Sequence, residues 1–243
     1  MRWCALGVSF ALALAALAPA TLLDARLDQA SGGRLRLAAA EGSLWSGAGW
    51  IELRDGEGRA GVAKRLAWRV LPESLLRGAL VAEVALDPDA RPFRATLSPS
   101  SIELAGAVAH VPAAALGLGM PSLAAFGLSG EVRVDIARLS LGRGRIDADA
   151  TLQWRAAGSA LTPISPLGAY EVRIQAAGSS VHAVLRTLEG PLQLEGDGAW
   201  SNGAPPRFLA TARVPAQHRE QLSPLLRLIA VERGAGTFEL QLE

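Results

Sequence analysis

The chain has 243 residues, with 24 lysines and arginines against 23 aspartates and glutamates, and half of its residues are hydrophobic. The near-neutral charge argues against a nucleic-acid binder, which needs a basic surface to neutralise phosphates, and the single cysteine excludes an internal disulfide and a multi-cysteine zinc site. The apolar share is too high for a disordered chain, so the composition favours a protein that associates with a membrane or buries a large apolar surface.

The chain opens with an uncharged, mostly apolar run over residues 3–23, which ends at Asp24. Its 21 residues match the ~20 that a helix needs to cross a bilayer, so we expect an uncleaved membrane anchor. A cleaved signal peptide is the alternative, because residues 18–20 read Ala-Pro-Ala, an A-x-A-like cleavage site. Either segment exports residues 24–243, which we predict to be one β-rich domain. The predicted anchor residues are Trp3, Leu6, Val8, Phe10, Leu12, Leu14, Leu17, Leu22 and Leu23.

Beyond Asp24, polar and apolar residues alternate through long stretches, as in residues 131–136 and 145–155. Period two sends successive side chains to opposite faces of a sheet, so these stretches predict half-buried strands with one wet and one apolar face. The candidate residues of the apolar sheet face or groove are Leu66, Trp68, Val70, Val132, Val134, Ile136, Ile146, Leu152, Trp154, Val172, Ile174, Leu192, Leu194, Trp200, Phe238, Leu240 and Leu242.

Helices are predicted only as short pieces, at residues 72–78, 111–116 and 223–230. In the last of these we expect Ser223 to be the N-cap and Pro224 the first helical residue. Because such pieces cannot cover many amphipathic strands, the apolar face must be buried in another way. We therefore predict a mainly β fold, with an N-terminal transmembrane helix followed by an extended, curled antiparallel sheet, or alternatively a β-sandwich.

The sequence has no residue pattern typical of a catalytic or metal-binding site. The histidines, His110, His182 and His218, are far apart and have no H-x-x-x-H spacing. No G-x-S-x-G run marks a nucleophile elbow. We therefore predict no catalytic, cofactor-binding or metal-ligating residues and a protein that is not an enzyme.

A single run, residues 56–61, matches the G-x-G-x-x-G pattern of dinucleotide-binding loops. Such a loop needs a strand before it and a long helix opening at the third glycine. Residues 65–70 alternate instead like a strand. The run is therefore predicted to be a hairpin loop.

Several stretches have a more specific character, and in their order along the chain they resemble the type II secretion system protein N family. They are residues 41–49 (EGSLWSGAG), 68–72 (WRVLP) with Leu75 and Leu76, 166–170 (PLGAY), 187–192 (TLEGPL) running to 198–201 (GAWS), and 222–229 followed by 234–238. The resemblance covers nearly the whole chain. It implies a single-pass inner-membrane protein, with the bulk of its chain in the periplasm, that is accessory to the export of folded proteins across the outer membrane.

Two functions follow as hypotheses. In the first, the protein is a non-enzymatic part of the secretion system whose sheet docks on other subunits through an edge strand, for which residues 181–186 and Thr237–Leu242 are the candidates. In the second, it holds lipid or another hydrophobic molecule in an apolar groove, because the strands are also similar to those of AsmA-like envelope proteins with their long curled sheets. The expected partners are the inner membrane, other type II secretion subunits and, in the second case, lipid; an envelope hydrolase is a third and weaker hypothesis.

Overall fold

The computed structural model describes residues 17–55, 58, 60–88, 90–119, 121–201, 204, 207–234 and 237–242. By the density of its internal contacts the chain divides into two compact units, Met1–Pro99 and Ser100–Glu243. Both are built from antiparallel strands with a few short helices, which confirms the mainly β prediction.

Unit 1 begins with helix α1 (Thr21–Ser31), which is followed by five strands. Each of these strands pairs antiparallel with the next one along the chain. A 3-10 turn, Pro72–Arg77, joins the third strand to the fourth. The strands are β1 (Leu35–Gly42), β2 (Ser46–Arg54), β3 (Ala60–Leu71), β4 (Leu80–Leu86) and β5 (Phe93–Leu97).

Unit 2 contains nine strands in one antiparallel sheet, in which the last two exchange places so that β14 lies between β12 and β13. The strands are β6 (Ile102–Pro112), β7 (Leu128–Gly142), β8 (Arg145–Ser159), β9 (Gly168–Ala177), β10 (Ser180–Glu189), β11 (Gln193–Ser201), β12 (Phe208–Arg213), β13 (Val231–Gly234) and β14 (Thr237–Leu242). Because the described strands of each unit pair side by side, neither unit is a β-sandwich.

The helices of unit 2 are α2 (Leu116–Gly119), α3 (Pro121–Ala124) and α4 (Arg219–Ile229), with 3-10 turns at Ala113–Ala115 and Ala216–His218. Residues 111 and 112, predicted as helical, instead end β6. The prediction for the last helix is wrong at its start, because α4 begins at Arg219 and Pro224 lies inside it. A reason is packing: Leu222, Leu225 and Leu226 share one helix face only if the helix has already formed before Leu222.

The segment predicted to enter the membrane is described only from Leu17 onward. Leu17 to Ala20 form a turn, and α1 then begins at Thr21, so Leu22 and Leu23 belong to a helix that also contains Asp24 and Arg26. Within the described part of the chain, no helix has both the length and the apolar character needed to cross a membrane. Residues 3–16 lie outside the described residues.

Candidate functional site

The strand register of unit 2 brings the predicted apolar residues onto one face. Val132 is paired with Trp154, Leu152 with Val172, and directly paired residues of antiparallel strands share a face. The predicted residues on this face are Val132, Val134, Ile136, Ile146, Leu152, Trp154, Val172, Ile174, Leu194, Trp200 and Phe238, and Leu240 and Leu242 are in register with Ala210 and Phe208. In unit 1, Leu66, Trp68 and Val70 alternate along β3 and belong to the core cluster there.

One end of the apolar face in unit 2 is covered by α4. Leu222 and Leu226 are fully buried and pack with Leu192, Ala212 and Phe238. Toward the other end, Ile102 and Leu141 are each exposed, although they continue the same face. The expectation that helices give the sheet no cover is therefore wrong at the α4 end, where the helix seals the face.

A depression of about 600 Å³ is lined by residues of both faces of the sheet, and two smaller ones, of about 350 and 240 Å³, are lined mainly by polar residues of the opposite face and the turns beside it. The second is lined by Arg133, Asp135, Thr151, Gln153, Glu171 and Arg173, which are all polar-face positions. The first is lined by Asp149, Gln175 and His182 of the polar face and by Ala148, Ala176, Val181 and Trp200 of the apolar face. The second depression therefore has a polar floor, unlike the apolar groove of the second hypothesis, whereas the first also includes apolar side chains.

A buried carboxylate, Glu171, lies at the centre of this polar face with only 4% of its surface exposed. It accepts a hydrogen bond from Gln153 Nε2 at 3.0 Å and pairs with Arg186 at 2.7 Å and Arg173 at 3.0 Å. Burial alone would raise the pKa of this carboxyl, but the Gln153 hydrogen bond and the two guanidinium groups outweigh it and hold the pKa below its ordinary range. Glu171 is thus ionised at neutral pH, and because its partners Gln153, Arg173 and Arg186 all belong to the sheet, it forms a structural ion pair.

Two of the family-like stretches meet in unit 2 and lock together. The hydroxyl of Tyr170 lies 2.9 Å from the carbonyl oxygen of Leu192 and 3.2 Å from that of Leu167, so it ties residues 166–170 to residues 187–192. Trp154 stacks at a tilt on the Tyr170 ring, with centroids 6.0 Å apart. Burial raises the pKa of Tyr170, so the hydroxyl keeps the proton that it donates.

The family-like stretch of unit 1 forms the turn between β1 and β2. Ser43 Oγ accepts hydrogen bonds from the Trp45 and Ser46 N–H groups at 3.2 and 3.3 Å, which fixes this turn. The Trp68 indole N–H donates to the Leu44 carbonyl at 3.2 Å, and the ring lies over Gly47. These residues shape the turn and bury a tryptophan, so their role is architectural.

Side chains of helix α1 accept hydrogen bonds from the N–H groups on the outer edge of β1, a contact that the residue pattern did not predict. Arg54 N–H donates to the Arg34 carbonyl, so by alternation the Leu35 and Leu37 N–H groups point away from β2. They donate instead to Ser31 Oγ at 2.9 Å and to Asp24 Oδ1 at 2.8 Å. An edge covered in this way does not accept another strand.

Asp24 has a second set of contacts, with the guanidinium of Arg36. Its two carboxylate oxygens accept from Arg36 Nε at 2.9 Å and from a terminal nitrogen at 2.7 Å. These contacts and the Leu37 N–H lower the pKa of Asp24. The only sequence signal for this cap was the seven-residue spacing between Asp24 and Ser31, which puts them two turns apart on the same side of a helix.

The predicted docking edges are wrong. Residues 181–186 lie within β10, which has β9 on one side and β11 on the other. Strand β14 lies between β12 and β13. Alternation reveals which residues share a face but not which strand is outermost, and among the described strands of unit 2 it is β13 that pairs on one side only at this end.

The candidate catalytic and metal-binding residues lie apart from one another in the part of the chain that the structure describes. Within the described ranges, no three of the His, Cys, Asp and Glu residues come together as metal ligands. His110 lies on β6, His182 on β10 and His218 in a 3-10 turn. Residues 56, 57 and 59 of the G-x-G-x-x-G run lie outside the described residues. Its last two residues, Ala60 and Gly61, begin β3, which pairs antiparallel with β2 and is not the helix that a dinucleotide site needs.

Comparison with known proteins gives one family. A family model described as type II secretion system protein N matches residues 33–241, which is most of the chain. Searches of curated proteins and of solved structures return no significant match.

Proposed function

Because the chain belongs to the type II secretion system protein N family, we propose that it is a non-enzymatic accessory component that docks on other subunits and supports export of folded proteins across the outer membrane. The match over residues 33–241 is the observation that carries this proposal. The geometry agrees with it, because the family-like stretches serve to fix turns and to pack a helix rather than to assemble reacting groups.

The proposal includes an uncleaved anchor in the inner membrane, with the bulk of the chain in the periplasm. Residues 18–20, the alternative cleavage site, are part of the fold of unit 1. Leu44 N–H donates to the Ala18 carbonyl at 2.8 Å, Pro19 forms a bridge with Ser43, and Ala20 is 1% exposed. Cleavage after Ala20 would remove these contacts, which favours a segment that stays attached.

We place the docking edge at β13. Its described residues pair with β14 on one side, and Val231 is 61% exposed. An edge strand offers unpaired N–H and C=O groups to an extended segment of a partner. The opposite arrangement is seen at β1, whose N–H groups are taken by Asp24 and Ser31.

The test is site-specific crosslinking in cells that make the full chain. A photoreactive residue at Val231 should crosslink to another type II secretion subunit, identified by mass spectrometry. The matched control is Val184, also exposed but on β10 between two strands. Crosslinks to secretion subunits from neither position, or from Val184 alone, would contradict docking at β13.

The lipid-groove alternative has one supporting observation, that Val181 and Trp200 of the apolar face line part of the depression of about 600 Å³. Against it, the apolar face is sealed by α4 at one end, and the depression around Glu171 has a polar floor. Docking is therefore the function that the site supports best.

A further inference from the structure

A rigid turn in unit 1 displays two leucines to the outside. In the 3-10 turn Pro72–Arg77, Leu76 is 92% exposed and Leu75 is exposed as well. Buried Ser74 fixes the backbone, because its Oγ donates to the Leu71 carbonyl at 2.6 Å and accepts from the Val81 N–H at 2.9 Å. Apolar surface held outward in this way is a built feature of the unit and not a consequence of a loose loop.

This turn lies at the end of unit 1 where the chain arrives from the predicted anchor. Leu44 N–H donates to the Ala18 carbonyl, and Val70 N–H donates to the Trp45 carbonyl at 2.7 Å, so these connections are neighbours. Strand β3 then runs directly into the turn. The exposed leucines at this end, which we call the apolar tip, are Leu17, Leu75, Leu76 and Leu97, the last being paired with Leu80 where β4 begins.

The turn has no net charge that would attract a charged partner. Glu73 and Arg77 are both exposed, and their charges cancel. Whatever covers the apolar tip must therefore be attracted by the leucines. Arg77 can lay its aliphatic stem along an apolar surface while its guanidinium stays in water or among phosphates.

We propose that the apolar tip inserts into the headgroup–hydrocarbon boundary of the membrane, a second contact that rests on the anchor of the proposed function. Seven of the 21 residues of the predicted anchor, residues 17–23, belong to the turn and to α1, which leaves 14, residues 3–16, for the membrane. A helix of 14 residues measures about 21 Å, short of the ~30 Å hydrocarbon core. A short membrane segment draws the chain that follows it toward the boundary. The leucines of the apolar tip are the groups that then meet this boundary.

The test uses the full chain reconstituted into vesicles of phosphatidylethanolamine and phosphatidylglycerol. With Cys4→Ser as background, Leu76→Cys is labelled with an environment-sensitive fluorophore and compared with Leu209→Cys, an exposed leucine of β12 in unit 2. Emission at position 76 should shift to shorter wavelength, and lipids spin-labelled near the headgroup should quench it several-fold more strongly than at position 209. Because the turn is neutral, added salt should leave the difference unchanged.

Two measurements distinguish insertion of the apolar tip from anchoring of the chain by its N-terminal segment. Alkaline extraction of the vesicles reports whether the chain is anchored, whereas emission at position 76 reports whether the tip is inserted. Water-like emission at position 76, equal to that at position 209, overturns the proposal whether or not the chain resists extraction. Quenching at position 76 supports it in either case.

Discussion

Gly47, in the family-like stretch 41–49, has a structural role, because it allows a close contact between β2 and β3. A Cβ at position 47 would overlap both the backbone carbonyl oxygen of Glu41 and the outer atoms of the Trp68 indole, which lies over this glycine. The absence of a side chain at Gly47 therefore lets β3 bury a tryptophan against β2, with its N–H bonded to Leu44. Packing of this kind identifies residues 41–49 as structural.

The Gly47→Ala substitution should destabilise unit 1 by about 1–3 kcal/mol, because overpacking forces the ring or the backbone to move. Urea unfolding followed by tryptophan fluorescence measures the change. In a Trp68→Phe background the outer ring atoms are gone, so the same substitution should cost less, and the cost that remains should come from the Glu41 carbonyl. An equal cost in both backgrounds would show that Gly47 is required for another reason.

The ionisation of Asp24 should make the stability of unit 1 depend on pH. Since its hydrogen bonds with Arg36 lower its pKa in the folded state, the ionised carboxylate stabilises the fold above the ordinary value of about 3.9. That stabilisation is lost as the pH falls through the lower folded-state pKa.

We therefore expect Asp24→Asn to cost about 1 kcal/mol near neutral pH, the typical worth of a partly exposed hydrogen-bonded charge. The difference from the wild-type chain should shrink as the pH is lowered from about 5 to 3. Unfolding free energies measured across this range test it. Asp28→Asn is the control, since Asp28 approaches Arg36 only to 3.9 Å, and an identical pH profile for both variants would refute the role of Asp24.

At the scale of elements, helix α4 covers one end of the apolar sheet face in unit 2. Its buried face consists of Leu222, Leu225 and Leu226, whereas Pro224 is exposed. Pro224 has no N–H for the Glu220 carbonyl, so the helix is held by packing rather than by its own hydrogen bonds alone.

The two sides of α4 should respond oppositely to alanine. Leu226→Ala should cost about 2–5 kcal/mol, as expected for a fully buried leucine. Pro224→Ala restores a helical N–H on the exposed side and should be neutral or stabilising. Thermal unfolding by circular dichroism distinguishes them, and a Leu226→Ala variant as stable as the wild-type chain would mean that α4 does not seal the face.

The elements also show what alternation can and cannot predict. Period two placed Val132, Trp154 and Val172 on one face because that face follows from parity along each strand. The outermost strand, the start of α4 and the capping of β1 by α1 depend on contacts between residues far apart in sequence. Asp24 is an example, since its partners Arg36 and Leu37 are identified only once α1 lies beside β1.

At the scale of the whole molecule, the family assignment limits the function more than any single site does. The chain matches the type II secretion system protein N family over residues 33–241. The described polar clusters, such as the one around Glu171, are closed by their own ion pairs. We propose that the surfaces through which the protein acts are the edge of β13 and the apolar tip.

Removal of the gene, followed by measurement of where folded exoproteins accumulate, tests the secretion role most directly. We expect exoproteins to be retained in the periplasm of the deletion strain and the full chain to restore their export. Unchanged secretion in the deletion strain, with the secretion system otherwise intact, would contradict it.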